Sequence, residues 1–152
     1  MIENQIVALP CNYIVDYDDA LGIDMDQAAA DVAVFTVPFR CEVIEVGGAV
    51  TETCAGGTTT PVIDFDLRPT AGSDSGRGAA DLGHLVLSTT AAGKVMYDMV
   101  GVGTILEPGN EVVCQLAIRA DGTGSAGHVR PYILVMMRSE TKANLDNMVE
   151  TA

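Results

Sequence analysis

The run Val62-Ile63-Asp64-Phe65-Asp66-Leu67-Arg68 decides the fold class. Its apolar and polar side chains alternate, so one side of the segment would face a core and the other side water. Residues 112–118 and 129–137 alternate in the same way. This period of two predicts antiparallel β-strands with one buried face each.

The rest of the chain is punctuated by turn residues, with 16 Gly and 6 Pro. Between them lie five further strand candidates: 32–37, 40–46, 49–53, 84–89 and 94–100. Helical periodicity is weak, and only Asp19 to Ala30 and Ser139 to Val149 are candidate helices. Many short strands joined by Gly- and Pro-containing turns predict an all-β protein, an antiparallel β-sandwich or barrel.

The pair Gly47-Gly48 has two interpretations. A two-residue hairpin turn, which glycines favour, would place Cys41 opposite Cys54 within disulfide reach. Alternatively, residues 40–53 form one long strand in which the glycines mark a bulge or a close approach. We prefer the long strand, and we expect both thiols to be reduced in either case.

Charge divides the chain unevenly. The first 39 residues hold seven carboxylates and no Lys or Arg. We therefore expect an acidic N-terminal arm or edge cover over residues 1–30, a β-sandwich domain over residues 31–138 and a polar tail over residues 139–152. Apolar residues in the arm, among them Ile6, Val7 and Leu9, would anchor it.

The composition excludes several functions. The whole chain has 21 acidic and 8 basic residues among 152, a formal net charge of −13. Such a surface repels phosphate backbones and anionic membranes, so neither nucleic acid nor a membrane is an expected partner. No run of 18 apolar residues and no secretory signal occurs. The sequence predicts a soluble protein made in a cytoplasm.

Motifs that carry chemistry are weak. Residues 122–127 match G-x-G-x-x-G, but a strand is predicted after them where a dinucleotide site needs a helix. The acidic cluster Asp16, Asp18, Asp19, Asp24 and Asp26 lacks EF-hand spacing, which leaves solvated surface charge as the default and an irregular Ca²⁺ site as the alternative. No cofactor or metal ligand set is predicted.

A catalytic constellation is also missing from the sequence. The four cysteines follow no C-x-x-C spacing and are expected to be buried thiols. A hydrolase would need one of them, or an Asp, beside His84 or His128. Carbohydrate binding is a further alternative, although the chain has no Trp and the candidate exposed aromatics are Tyr13, Tyr17 and Tyr132.

Four stretches carry a resemblance to a known class. In Val34-Phe35-Thr36-Val37-Pro38-Phe39 an apolar strand ends in Pro-Phe, and a long apolar run and the loop Thr58-Thr59-Thr60 follow. Leu106-Glu107-Pro108-Gly109-Asn110 forms a turn before the penultimate strand, and Gly127-His128-Val129-Arg130-Pro131 opens the last one. In this pattern residues 31–138 resemble the small β-sandwich virion proteins of tailed bacteriophages, most closely their head decoration (cement) proteins.

The resemblance implies a jelly-roll-like antiparallel β-sandwich with a non-enzymatic role. Decoration proteins are commonly homotrimers that bind the outer capsid. The expected partners are therefore further copies of the chain and the major capsid protein, at the capsid surface of the virion. A head-fibre or tail-associated phage protein is one alternative, and a carbohydrate- or Ca²⁺-binding β-sandwich module is another. The candidate interface residues are Ile6, Val7, Leu9, Tyr13 and Met136.

Overall fold

The computed structural model describes residues 5–138, which form twelve β-strands arranged in two antiparallel sheets. The strands are β1 (Ile6–Ala8), β2 (Cys11–Tyr13), β3 (Tyr17–Asp18), β4 (Gly22–Asp24), β5 (Asp31–Thr36), β6 (Cys41–Ala55), β7 (Val62–Arg68), β8 (Asp81–Val86), β9 (Val95–Asp98), β10 (Ile105–Leu106), β11 (Glu111–Ile118) and β12 (Ala126–Met137). The all-β fold class predicted from the alternating runs is confirmed.

The strand order is that of a jelly roll. One sheet contains β4, β12, β6 and β9 side by side, with β1, β3 and β10 added at its margins. The other sheet has the order β2-β5-β11-β7-β8. When the eight main strands β4 to β9, β11 and β12 are counted from one to eight in chain order, the sheets read 1-8-3-6 and 2-7-4-5. This arrangement of two interlocked four-stranded sheets defines the jelly-roll class of sandwich.

The core lies between the two sheets, as the alternation predicts. Ile63 and Phe65 of β7 are fully buried, and so are Ile133 and Val135 of β12 in the opposite sheet. Phe35 of β5 packs against Phe65 with ring centroids 6.2 Å apart. The polar side chains of the same strands point outward, so each strand contributes one face to the core.

Strand β6 is continuous through Gly47 and Gly48, so the long-strand interpretation is correct. A Cβ atom added to Gly47 would lie 2.4 Å from the Tyr132 ring, and one added to Gly48 would lie 2.6 Å from Val129. The two glycines therefore mark a close approach between β6 and β12. Cys41 and Cys54 lie near opposite ends of this strand and are free thiols, as expected.

Pro131 lies in the middle of β12, where its missing N–H is harmless. Its register partner in β6 is Gly48. The C=O of Ile133 accepts a hydrogen bond from the N–H of Leu9, so the odd-numbered residues of this stretch turn their backbone groups toward the β1 side. Pro131 falls in the gap between the residues paired to β1 and those paired to β4.

The N-terminal segment covers a sheet edge and also enters the core. β1 pairs with the end of β12, and Leu9, Ile23 and Met25 are buried. The helix predicted from Asp19 to Ala30 is wrong, because β4 and turns occupy this region. The Asp18 carboxylate accepts hydrogen bonds from the N–H groups of residues 20 and 21, and the Asp24 carboxylate accepts one from that of residue 26. Such local bonds compete with helix formation.

Two further expectations concern the later part of the chain. Residues 122–125 form a loop that leads directly into β12, so a strand follows it where a dinucleotide site needs a helix, as predicted. The helix predicted from Ser139 to Val149 and the tail over residues 139–152 lie outside the described residues.

Candidate functional site

The most distinctive surface feature is an apolar strip along one edge of the first sheet. Eleven large hydrophobic side chains are exposed within residues 5–138, and six of them belong to residues 95–105. Tyr97 is 62% and Val100 63% exposed. The six residues, here called the β9 strip, are Val95, Tyr97, Met99, Val100, Val102 and Ile105. Clusters of this kind mark interaction sites, whereas single exposed hydrophobic residues need no explanation.

Strand alternation explains why half of β9 faces solvent. β9 pairs with β6 through the register Val46↔Asp98 to Ala49↔Val95. Met96 points inward and packs against the core, so its neighbours Val95 and Tyr97 point outward. The sequence predicted a strand over residues 94–100, but it gave no signal that this strand lies at an edge, because an exposed apolar strand has the composition of a buried one.

The loop after β9 is held in place by Asp98. Its carboxylate accepts hydrogen bonds from the N–H groups of His84, at 3.0 Å, and Val100, at 3.1 Å. The hydrogen bond from His84 contributes most to lowering the pKa of Asp98, and that from Val100 adds to it. Asp98 is the only charged residue between Lys94 and Glu107. Asp98, which lies between residues of the strip, therefore ties the start of this loop to β8.

Next to the strip, the outer face of the first sheet carries the ring of Tyr132. Tyr97 lies opposite Gly47, over which the Tyr132 ring packs. The Tyr132 hydroxyl donates a hydrogen bond of 2.6 Å to Glu45. Burial and this hydrogen bond raise the pKa of Tyr132. The phenol is thus neutral at physiological pH and rigidly held.

The five interface residues predicted from the sequence occupy different environments. Ile6 and Met136 are register partners in β1 and β12, where Ile6 is 53% exposed and Met136 half-buried. Leu9 is buried in the core, and Val7 and Tyr13 are half-buried and pack against it. The structure therefore brings Ile6 and Met136 together on one surface and uses Leu9 to hold the sandwich together.

The opposite outer face is charged. Arg77, in the loop after β7, donates to both carboxylate oxygens of Asp31 at 2.8 and 2.5 Å, and its guanidinium also lies 3.4 Å from Asp74. Arg68 pairs with Asp74 at 3.1 Å and with Glu111 at 3.2 Å. The side chains of both arginines are less than 20% exposed. The outer face of the second sheet thus carries a network of shielded ion pairs, in contrast to the apolar β9 strip.

A shallow polar cleft of about 230 Å³ lies at the acidic N-terminal segment. It is open to solvent and is lined by Asp16, Tyr17, Asp18, Asp24 and His128. Tyr17 stacks at a tilt on Tyr13, with ring centroids 5.1 Å apart. The Asp18 and Asp24 carboxylates are engaged in their local turns. Within residues 5–138, no three His, Cys, Asp or Glu side chains are arranged to hold a metal ion.

The thiols and imidazoles are kept apart. His128 Nδ1 lies 2.9 Å from Glu52, whose pKa is lowered chiefly by that hydrogen bond, and His84 Nδ1 lies 3.8 Å from Asp98. Burial raises the pKa of the thiols of Cys11, Cys41 and Cys54 to about 11, and that of Cys114 well above its ordinary value. A raised pKa suppresses the thiolate, which is the nucleophilic form. In the described part of the chain, neither histidine forms a hydrogen bond with a thiol.

Fold and surface together define a jelly-roll β-sandwich with an apolar strip along one edge. The part of the chain that the structure describes contains no helix with the length and hydropathy to span a bilayer. Comparisons with protein-family models, with curated protein sequences and with solved structures found no match to the chain.

Proposed function

We propose that the chain is a non-enzymatic virion structural protein, a bacteriophage capsid decoration (cement) protein that binds the outer capsid and stabilises it. The observation that carries the proposal is the β9 strip, which presents six large hydrophobic side chains and a single charge. Protein–protein contacts are depleted of charge and enriched in Met and Tyr at their centres. Such a molecule would act through a contact surface and not through a cleft.

The fold supports the same class. Jelly rolls occur in viral capsid proteins and in lectins, so the architecture is compatible with the proposal without selecting it. The resemblance of residues 31–138 to phage decoration proteins adds the major capsid protein as the partner and a homotrimer as the assembly. The chain would act at the capsid surface of the virion after synthesis in the host cytoplasm.

Adhesion would be the mechanism. Each copy contributes a modest apolar contact, and a closed oligomer multiplies these contacts through effective concentration. The net charge of −13 keeps the remaining surface from associating, since like charges repel. Head-fibre and tail-associated proteins would use the same surface chemistry on a different part of the virion.

The test is co-sedimentation of the purified chain with capsids built from the major capsid protein encoded in the same genome. We expect saturable binding that the substitution Tyr97→Lys abolishes. Val86→Lys, at a valine that is 52% exposed on β8, is the matched control and should bind normally. Absence of wild-type binding to these capsids would refute the decoration function.

A carbohydrate- or Ca²⁺-binding module is the second candidate, and the cleft beside Tyr17 is the observation that favours it. An aromatic side chain that is 51% exposed next to carboxylates and an imidazole offers both stacking and hydrogen bonds to sugar hydroxyls. Glycan-array binding that Tyr17→Ala abolishes would support this function. A change in the solution mass or melting temperature on adding EDTA would point to calcium.

A further inference from the structure

The backbone of β9 has an unused hydrogen-bonding edge. The N–H of Val50 donates to the C=O of Lys94, so even-numbered residues of β9 face β6. The N–H and C=O groups of Val95 and Tyr97 therefore point away from β6. Within residues 5–138 no strand pairs with this side of β9. An apolar edge of this kind is a template for another strand, and native proteins cover such edges.

We infer that the β9 edge pairs with β9 of a second copy of this chain, antiparallel and across a two-fold axis. The inference deepens the proposed function, because it rests on the β9 strip being a contact surface. A two-fold contact uses the same patch on both subunits, so the patch must complement itself.

Hydrogen bonding restricts the possible registers. The outward groups belong to odd-numbered residues, so odd residues must lie opposite odd residues. Placing Val95 opposite Tyr97 of the partner subunit uses all four outward N–H and C=O groups of each strand. Met96 then lies opposite Met96 of the partner subunit, at a site without hydrogen bonds between the pair.

Charge selects the same register. The register described above places Lys94 opposite Asp98 of the partner subunit, and the reverse pair forms on the other side of the two-fold axis. Lys94 is exposed and forms no ion pair within residues 5–138, whereas Asp98 is held ionised by its hydrogen bonds. In the registers shifted by two residues either way, this pairing is lost. Two opposite charges at the two ends of one short strand make β9 complementary to itself.

The side chains on the outer face fit as well. Val95 would pack against Tyr97 of the partner subunit, and β-branched and aromatic residues are favourable cross-strand neighbours. Because β9 is complementary to itself, the binding partner at this edge is a second copy of this chain. Elsewhere two molecules of net charge −13 repel each other, whereas residues 95–106 contain a single charge, that of Asp98.

A two-fold pairing is compatible with the proposed trimer, because the two contacts use different axes. On an icosahedral surface, molecules grouped around local three-fold axes meet their neighbours across local two-fold axes. Trimers on the local three-fold axes would be joined by β9 pairs on the local two-fold axes. The bound copies would then form a continuous network on the capsid.

The decisive experiment is disulfide trapping in the full-length chain. Met96→Cys would place two thiols on the two-fold axis at a Cα separation of about 4.5 Å, within disulfide reach. Under mild oxidation we expect a covalent dimer of twice 15.9 kDa on a non-reducing gel. Wild type and Val95→Cys, whose thiol would face Tyr97 of the partner subunit, should remain uncrosslinked.

Since Met96 packs against the core, an exposed variant provides a second test. Lys94→Glu replaces two attractive pairs by two repulsive ones and should raise the dissociation constant for self-association about tenfold in light scattering. Absence of the covalent dimer from folded Met96→Cys protein, or unchanged association of Lys94→Glu, would overturn the pairing. Capsid binding that persists then leaves the proposed function standing. Crosslinking of Met96→Cys without capsid binding by the wild type would refute the proposed function and leave the β9 pairing standing.

Discussion

The Tyr132 ring occupies the space above Gly47, and an added Cβ atom at position 47 would lie 2.4 Å from Cζ of that ring. The two residues are register partners in the two longest strands of the sandwich. The glycine that resembles a turn residue in the sequence is therefore part of the packing between β6 and β12. It lets a large aromatic side chain lie flat on the sheet beside Tyr97.

Gly47→Ala should destabilise the protein by about 1–3 kcal/mol, because the ring must move from a site where Glu45 holds its hydroxyl. Chemical denaturation of both proteins measures the change. In a Tyr132→Ala background the same substitution should have little further effect, since residues in contact are not additive. Equal costs in both backgrounds would show that the ring is not the obstacle.

The sequence predicted the strands well where burial alternates. The observed bounds of β7, β11 and β12 agree to within a few residues with those that the period of two predicts. It failed over residues 19–30, because carboxylates that bond to nearby N–H groups do not produce a period. It also did not predict the pairing of β1 with β12, which joins residues more than a hundred positions apart.

The proposed contact surface was only partly predictable from the sequence. The alternation of β12 placed Met136 on the outer face, and the apolar arm suggested Ile6, two residues that the fold makes neighbours. The β9 strip was missed as a surface, because exposure depends on which strand lies at an edge. That property is set by the order of all strands and not by the local sequence.

Arg77 should contribute more to stability than its position in a loop suggests. Its bidentate contact with Asp31 is mostly shielded, with side-chain exposures of 17% and 30%. Arg77→Ala should cost about 1–3 kcal/mol, because Asp31 and Asp66 lose their counter-charge in a shielded site.

Arg119→Ala is the matched control for Arg77→Ala. Arg119 pairs with Asp26 at 3.3 Å, but its side chain is 43% exposed, so the loss should be below about 1 kcal/mol. Urea denaturation at low and moderate salt compares the two variants. A larger loss for Arg119→Ala would contradict the role of shielding.

Acid should weaken the protein partly through Asp98. Its folded-state pKa is lowered by backbone hydrogen bonds, so its stabilisation is present at neutral pH and is lost as pH falls from about 4 through the folded pKa. Asp98→Asn should cost about 1–2 kcal/mol at pH 7 and progressively less toward pH 3. Melting temperatures measured across this range test the convergence of the two proteins.

Asp64 should have the opposite effect on the melting temperature as the pH is changed. Burial, with Asp66 and Asp81 adding to it, raises its folded-state pKa. The ionised carboxylate is therefore unfavourable at neutral pH, and this cost disappears as pH falls through the raised pKa. Asp64→Asn should melt higher than wild type at pH 7 and equal to it near pH 3. A lower melting temperature at pH 7 would show that the carboxylate is stabilised by its surroundings.

Thiol labelling separates the structural role of the cysteines from a catalytic one. With a pKa of about 11, Cys11, Cys41 and Cys54 are about one-thousandth thiolate at pH 8, and Cys114 is less ionised still because it is fully buried. A disulfide-exchange reagent should therefore label the native protein slowly, beginning at half-buried Cys11, and should label all four thiols at once in denaturant. Rapid labelling of one thiol in the native protein would reveal an activated nucleophile. It would then favour the hydrolase alternative over a protein whose cysteines only fill the core.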